Sequence, residues 1–475
     1  MKEKRPPGGG AKTLGVFSIA MINLAIIYSI RGLPLLAEEG TAAGFYLLVS
    51  AVFFLIPVAF ISAELATAWP PRGPGGIYVW VRQALGGRWG FVAIWMQWSE
   101  NVIWFPTVLS FIGATIAYIF MPNLANNKIY MLTTILLIYW AGTFANFRGM
   151  KTSAWISTSG VIATMISTLL IIGLGIAWLV SGSPLQVDLG WHAMLPDLTN
   201  LNSLVFLAGV MVITSGIEVS AVHEGDVSDP GRVFPRAILL SAVISFCALL
   251  LGAMGIAFVV PAKEISLVAG VMEAFEKFFA AYHIKWLVPA VAVLIVVGSI
   301  GEVAAWILGP SKGLLVTARD GLLPPFFQRC NENRVPVAIL WVQAFIVTGL
   351  VLVFLLMPTI NSAYWILTAL TAQIYLIMYI LLFVAGIVLR YKEPDTPRPF
   401  RVPFGNAGMW FLGILGMIGA IFTLFIGFLP PSQINEGNLY FYEAFLIAGM
   451  LVMILLPTLI YALRKPHWKN ETPVD

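Results

Sequence analysis

The chain has 475 residues, 59% of them hydrophobic and only 11% charged, and its mean hydropathy is +0.89. A soluble fold of this length cannot hide that much apolar surface, so a water-solvated globule is excluded and the lipid bilayer becomes the expected solvent and partner. The net charge of +4 belongs to connecting loops and indicates no nucleic-acid partner. Cys247 and Cys330 fall in a span and a loop, and His192, His223, His283 and His467 are scattered. Neither a disulfide nor a metal site is expected, nor any other cofactor. No Ser/His/Asp or HExxH pattern suggests an enzyme.

A membrane-crossing helix needs about 20 apolar residues. In chain order such stretches are predicted at 14–37, 44–68, 89–120, 129–146, 153–181 and 202–224, then at 234–260, 285–318, 336–357, 362–390, 408–429 and 442–464. That makes about twelve helices in an all-α integral membrane fold. Residues 1–12 are basic and Gly/Pro-rich and run into the first span without an A-x-A-like site, so no cleaved signal peptide is expected. With the N-terminus inside, cytoplasmic segments hold 22 of the 27 Lys and Arg residues. Outer segments hold Lys128, Lys263, Lys277 and Lys285, and Arg31 lies within a span. This bias predicts a multi-pass protein of the cell (inner) membrane with both termini cytoplasmic.

Two spans are interrupted. The first reads Ile27-Tyr28-Ser29-Ile30-Arg31-Gly32-Leu33-Pro34, with its polar and helix-breaking residues roughly midway. The sixth breaks at Thr214-Ser215-Gly216, passes Glu218 and runs to a charged Asp229-Pro230-Gly231-Arg232 turn. Charge and unwound backbone at bilayer depth are expected only where they line a cavity. Breaks in corresponding positions of two halves point to a transport site, with spans one to five and six to ten as inverted repeats. The alternative is a pair of unrelated kinks.

The residues then resemble a known family. The carriers are Ser62-Ala63-Glu64-Leu65-Ala66-Thr67, the run from Pro70-Pro71-Arg72-Gly73-Pro74-Gly75-Gly76 to Val81, and Ala305-Trp306-Ile307-Leu308-Gly309-Pro310-Ser311-Lys312-Gly313-Leu314. Ala318-Arg319-Asp320-Gly321-Leu322 follows, and Ser29-Ile30-Arg31-Gly32-Leu33-Pro34 and Glu100-Asn101-Val102-Ile103-Trp104 add to it. The chain resembles the amino acid–polyamine–organocation superfamily, and within it the glutamate/GABA antiporter family. The resemblance implies the LeuT-type fold, a five-plus-five inverted repeat with two additional helices and broken helices 1 and 6. The expected division is a cytoplasmic tail at 1–13, a transporter core at 14–390 with repeats 14–181 and 202–390, two additional helices at 408–464 and a short cytoplasmic tail at 465–475. Alternating access and a small amino acid or amine substrate are implied, as is exchange of the glutamate/GABA type. A cationic amino-acid or polyamine exchanger is the alternative within transport, and a transporter-like amino-acid sensor the alternative outside it. A homodimer is compatible with this reading. Ile27-Tyr28-Ser29 departs from the Gly-Ser-Gly that many superfamily members carry at the first break. About ten residues follow Arg464, so a long C-terminal plug is not expected.

Site residues follow from what a zwitterion needs. Half-helix ends offer N–H groups to a carboxylate and carbonyls to an ammonium, which makes Ile27, Tyr28, Ser29, Thr214, Ser215 and Gly216 the expected binding backbone. Glu218 resembles a glutamate that couples occupancy or protonation to gating in related exchangers, and its charged form is costly at this depth. A capping or interhelical contact is the bland alternative. Glu302 and Trp306 share a face by their i, i+4 spacing, and Trp306 matches an aromatic that closes over substrate in the arginine/agmatine exchanger. For Glu302, amine binding, a proton site and a structural partner all stay open. Gln97, Asn101 and Trp104 share a face of the third span, while Trp95 and Trp98 face lipid or pack internally. Arg31 is expected either to draw an acidic group or to snorkel outward. Glu64, Arg72, Arg82, Asp226, Asp229, Arg232, Arg319 and Asp320 are expected to anchor loops or form an inner gate. The fifth span contains no lysine, so a lysine standing in for sodium is not expected.

Overall fold

The computed structural model describes residues 15–69, 76–148, 150–219, 229–431 and 437–469. Every regular element among them is helical. Helix 1 comes in two pieces, α1 (Val16–Ile27) and α2 (Leu33–Glu38). Then follow α3 (Gly40–Ala68), α4 (Gly76–Leu85), α5 (Gly87–Phe120), α6 (Lys128–Asn146), α7 (Met150–Val180) and α8 (Leu207–Ile213). The second half runs through α9 (Pro230–Val259), α10 (Gly270–Ala281), α11 (Val288–Arg319), α12 (Val337–Leu356), α13 (Ile360–Lys392), α14 (Gly405–Ile426) and α15 (Leu439–Ala462). Among the described residues, eleven helices are long and apolar enough to cross a bilayer. The broken helix 1 makes the twelfth, in agreement with a LeuT-type membrane fold.

Predicted and observed spans differ by a few residues at their ends. What the hydropathy pattern passed over are α4 and α10. Both are short and amphipathic, α4 with Arg82 and Gln83 and α10 with Glu273, Glu276 and Lys277, so neither presents the continuous apolar run that marks a crossing helix. The tails at 1–13 and 470–475, and Arg72 and Asp226, lie outside the described residues.

Position in the bundle follows from how much of a helix is apolar all round. In α5 89% of the most apolar stretch is buried by protein, whereas in α15 only 17% is. α5 is therefore the central post. α15 presents Leu451, Leu455 and Leu459 outward, a surface that only lipid can cover. Buried amide and hydroxyl groups lock the post to its neighbours. Gln343 of α12 accepts from Trp98 Nε1 and Ser311 Oγ, both at 3.0 Å, and donates to Tyr139 OH at 3.0 Å, tying α5, α6, α11 and α12 at one point. Trp98 thus packs internally, as does Trp95, which is 6% exposed. α7 and α11 meet through small residues: a Cβ on Gly160 would lie 2.7 Å from Gly301 Cα, so the close approach of the two backbones depends on glycine.

The arginine-rich ends of the helices are joined by a strap at 393–404. Glu64, 1% exposed, accepts from Arg390 Nη2 at 2.6 Å and from the Val402 backbone N–H at 2.7 Å, and pairs with Arg398 Nε at 3.2 Å. Arg398 also donates to the carbonyls of Leu389 and Glu393, capping the C-terminus of α13 where a cation suits the helix dipole. Elsewhere on this side, Asp320 accepts from Tyr78 at 2.6 Å and from Arg82, pinning α4 to α11. Asp229 meets Arg232 at 3.6 Å, and Arg319 Nη2 lies 3.8 Å from Cys330 Sγ. Loop anchoring accounts for the charged residues here, although the partners of Glu64 were not among those the sequence grouped with it. Removing one member of a buried ion pair leaves the others uncompensated, at a cost of about 3–5 kcal/mol. Glu64→Gln should therefore lower the thermal unfolding midpoint of the detergent-solubilised protein by several degrees or prevent its accumulation. A wild-type midpoint would contradict the bracing role.

Candidate functional site

Helix 1 breaks because Tyr28 and Ser29 are extended, at φ −103°, ψ 123° and φ −134°, ψ 128°. The chain then resumes as a 3-10 turn at Ile30–Gly32, with Pro34 in the first turn of α2, a place where its missing N–H costs nothing. Helix 6 breaks after α8. Gly216 has φ +100°, a backbone conformation that a side chain strains. A Cβ there would also sit 3.3 Å from Ile26 Cγ2 and 3.6 Å from the Trp306 ring. Two groups at the second break are held by other helices. Thr214 Oγ1 lies 2.7 Å from Ser50 Oγ, beside a π-helical turn at Ala51–Leu55. The Gly216 N–H donates to Tyr379 OH at 2.8 Å.

Between the two breaks lies a partly open cavity to which both contribute. The first break gives it Ile27, Ser29 and Arg31, and the second gives Val212, Ile213 and Ser215. α5 adds Glu100, Asn101 and Trp104, α11 adds Glu302 and Trp306, and α13 adds Tyr375. The Trp104 and Trp306 rings approach to 6.1 Å between centroids, an aromatic wall beside the charged groups.

Arg31 does not snorkel. It is 3% exposed, and its Nη1 donates to Tyr364 OH at 2.9 Å and to Thr107 Oγ1 at 3.4 Å. Its guanidinium lies 5.4 Å from the Trp104 ring centre and 5.9 Å from that of Tyr364, distances at which a cation is attracted to a ring face. Arg31 also lies within electrostatic reach of both Glu100 and Glu302, yet none of the ion pairs among the described residues includes it. Glu302 Oε2 accepts from Ser29 Oγ at 2.9 Å, linking α11 to the break in helix 1. Three buried polar atoms around the cavity have no hydrogen-bond partner: Arg31 Nε, Glu100 Oε2 and Asn101 Oδ1. One is a donor on a cation, and two are acceptors.

Glu218 sits just behind the wall, 3% exposed, in a turn at 217–219 that follows the break. Its Oε1 accepts from Tyr375 OH at 2.8 Å and Gln97 Nε2 at 3.3 Å, and its Oε2 from Tyr379 OH at 2.7 Å. These three donors are neutral. Tyr379 thus holds the carboxylate and the Gly216 N–H with one hydroxyl. Glu100 is close enough to Glu218 for the two to repel.

The structure brings Ile27, Ser29, Asn101, Trp104, Ser215, Glu302 and Trp306 together on one cavity, as sequence spacing suggested. Four expected residues do not line it. Tyr28 and Thr214 were expected for their backbone; their side-chain hydroxyls lie 2.7 Å from Thr168 Oγ1 and 2.7 Å from Ser50 Oγ. Gln97 reaches Glu218 from behind the wall. Gly216 gives its N–H to Tyr379 instead of to a ligand. The cavity-facing stripe of α5 is Glu100, Asn101 and Trp104, one position round from the face drawn through Gln97, because the helix turns Gln97 toward α13. The helix that resumes after Ser29 is also shorter than expected. α2 has six residues, so the guanidinium of Arg31 is the stronger attraction for an anion. Sequence reasoning missed Tyr364, Tyr375 and Tyr379, although the i, i+4 pair of tyrosine hydroxyls in an apolar span was a usable signal.

Gly216→Ala forces a side chain into a positive-φ position, at a cost of about 1–2 kcal/mol, and pushes on Ile26 and Trp306. Solute transport by reconstituted protein should fall about tenfold while membrane insertion is retained. Wild-type rates would mean that the break tolerates a side chain and that its geometry is not critical.

A family model described as amino acid permease matches residues 14–454. The glutamate/gamma-aminobutyrate antiporter of Lactococcus lactis subsp. lactis is 31% identical over 470 residues, covering 97% of this chain and 93% of that protein. An uncharacterized transporter of Legionella pneumophila is 44% identical over 449 residues, covering 94% and 96%. A polyamine transporter of Oryza sativa subsp. japonica is 26% identical over 412 residues, covering 84% and 72%. With two broken helices flanking a charged cavity, and with matches that run almost the whole length of the chain, this is a multi-pass membrane transporter of the amino acid permease family, within the amino acid–polyamine–organocation superfamily.

Proposed function

We propose that the protein exchanges an amino acid for an amine by alternating access, with glutamate and 4-aminobutyrate as the leading pair. The observation that carries this reading is the charge pattern of the cavity, in which one buried arginine faces two carboxylates between two broken helices. Arg31 Nε is a free donor for a substrate carboxylate. Glu302, Glu100 Oε2 and Asn101 Oδ1 are acceptors for an ammonium, and Trp104 and Trp306 pack against the aliphatic chain between. With every group ionised, Arg31 offsets only one of the three glutamates Glu100, Glu218 and Glu302. An uncompensated charge in hydrocarbon is expensive, so occupancy by a cationic group or by a proton is favoured. In this reading Glu218 is the proton-linked element, because its tyrosine clasp joins it to the second break. The proposed moving halves are 14–181 and 202–390, and the surplus of basic residues supports cytoplasmic termini.

The excess of acid over base also favours a second reading, a cationic amino-acid or polyamine exchanger. Two substitutions separate the readings. A hydrogen bond to a charged group contributes about 1.5–3 kcal/mol, tenfold or more in affinity. In proteoliposomes preloaded in turn with glutamate, 4-aminobutyrate, arginine or putrescine, Arg31→Gln should weaken counterflow of every carboxylate-bearing substrate about tenfold and leave any putrescine exchange unchanged. Glu302→Gln should weaken counterflow of every substrate that offers it an ammonium, glutamate and 4-aminobutyrate included, and most strongly that of doubly cationic putrescine if it is a substrate. An equal loss for all substrates in both variants would assign Arg31 and Glu302 to helix packing. Saturable binding without counterflow would indicate a sensor.

Glu218→Gln removes the ionisable group while keeping the side chain's shape and one acceptor oxygen. It should flatten the pH dependence of exchange while the protein stays folded. An unchanged profile would return Glu218 to a capping role.

A further inference from the structure

We propose that an apolar groove between α3 and α9 seats an acyl chain of an anionic phospholipid, whose phosphate is held by arginines beside the end of the groove that Phe400 borders. This site is separate from the transport cavity. It encloses about 380 Å³, and every side chain lining it is apolar. α3 contributes Ala59 and Phe60, α9 contributes Pro235, Leu239 and Ala242, and Phe400 of the strap closes one end. The small side chains of Ala59 and Ala242 leave the hollow. Leu239, 65% exposed, shows that the groove opens onto the lipid-facing surface.

The strap borders the end of the groove at the first turn of α9. Phe400 packs on Phe60 with ring centroids 6.0 Å apart, and a Cβ on Gly231 would come within 2.5 Å of the Pro399 carbonyl oxygen. The strap therefore runs directly beneath the first turn of α9. Pro235, Leu239 and Ala242 form one helical stripe, and Arg232 and Arg236 continue that stripe by three residues each from Pro235 and Leu239. Arg401 follows the Phe400 floor. All three arginines are exposed, and Arg232 lies 3.6 Å from the exposed Asp229.

Charge complementarity selects the occupant. Guanidinium groups bind phosphate oxygens through paired N–H donors. A headgroup with its own ammonium offers less net charge to them than phosphatidylglycerol does. A protein helix would need a broader trough and polar partners for its outer face, and nothing lining this groove supplies them.

The full-length protein, delipidated in mild detergent and offered equal amounts of phosphatidylglycerol and phosphatidylcholine, should retain phosphatidylglycerol several-fold more strongly by native mass spectrometry. Arg236→Gln with Arg401→Gln should abolish that preference. Ala242→Trp, which fills the groove, should lower retention of both lipids, and Leu239→Trp at the exposed rim serves the same purpose if the first variant does not fold. Equal retention of the two lipids by the wild type, an undiminished preference in the arginine variant, or full retention in a filled-groove variant would each overturn the proposal. A lipid-free dimer would overturn it too, because the groove would then be covered by a second copy.

Discussion

A main chain that leaves the helix inside a bilayer must find new partners for its N–H and C=O groups, since no water is there to supply them. At the second break Tyr379 meets that constraint by taking the Gly216 N–H. Side-chain hydroxyls add ties at both breaks, Thr214 to Ser50 and Ser29 to Glu302. These partners come from α3, α11 and α13, so the helices around the breaks are positioned by the groups the breaks expose. The cavity is a consequence of that arrangement, which is why its polar atoms cluster where the backbone is irregular.

The same hydroxyl of Tyr379 that serves Gly216 also donates to Glu218. Carboxylate and backbone are thereby coupled through a single atom. A change in the charge of Glu218 alters how strongly Tyr379 is held and, with it, the geometry at Gly216. This is a short physical route from protonation to helix position, needing no long chain of contacts. Arg31 is immobilised by Tyr364 and Thr107, so its charge is fixed in place and its Nε is aimed by neutral partners that do not quench it.

Much of this was legible in the sequence. The broken helices were, because Ser, Arg, Gly and Pro in the first and Thr-Ser-Gly in the sixth are the residues that cannot sit quietly in lipid. Glu302 and Trp306 were legible from their spacing. Gln97 was placed on the wrong stripe because spacing gives the face a residue occupies but not the direction in which that face is turned, and that rotation is set by a distant partner, Glu218. Glu64 was read as a loop anchor, yet its partners Arg390 and Arg398 lie more than 300 residues away, and no local pattern reveals such a pairing. α4 and α10 escaped for the opposite reason, since an amphipathic in-plane helix is locally unremarkable beside long apolar runs.

The central claim is that substrate binds between the two breaks, with its carboxylate on Arg31 and its ammonium toward Glu302. The most direct measurement is a structure of the protein with bound glutamate or 4-aminobutyrate. The account predicts ligand density beside Trp104 and Trp306, a carboxylate within hydrogen-bond distance of Arg31 and an amine facing Glu302. Ligand density outside this cavity, or inside it with the amine turned toward Arg31, would contradict it.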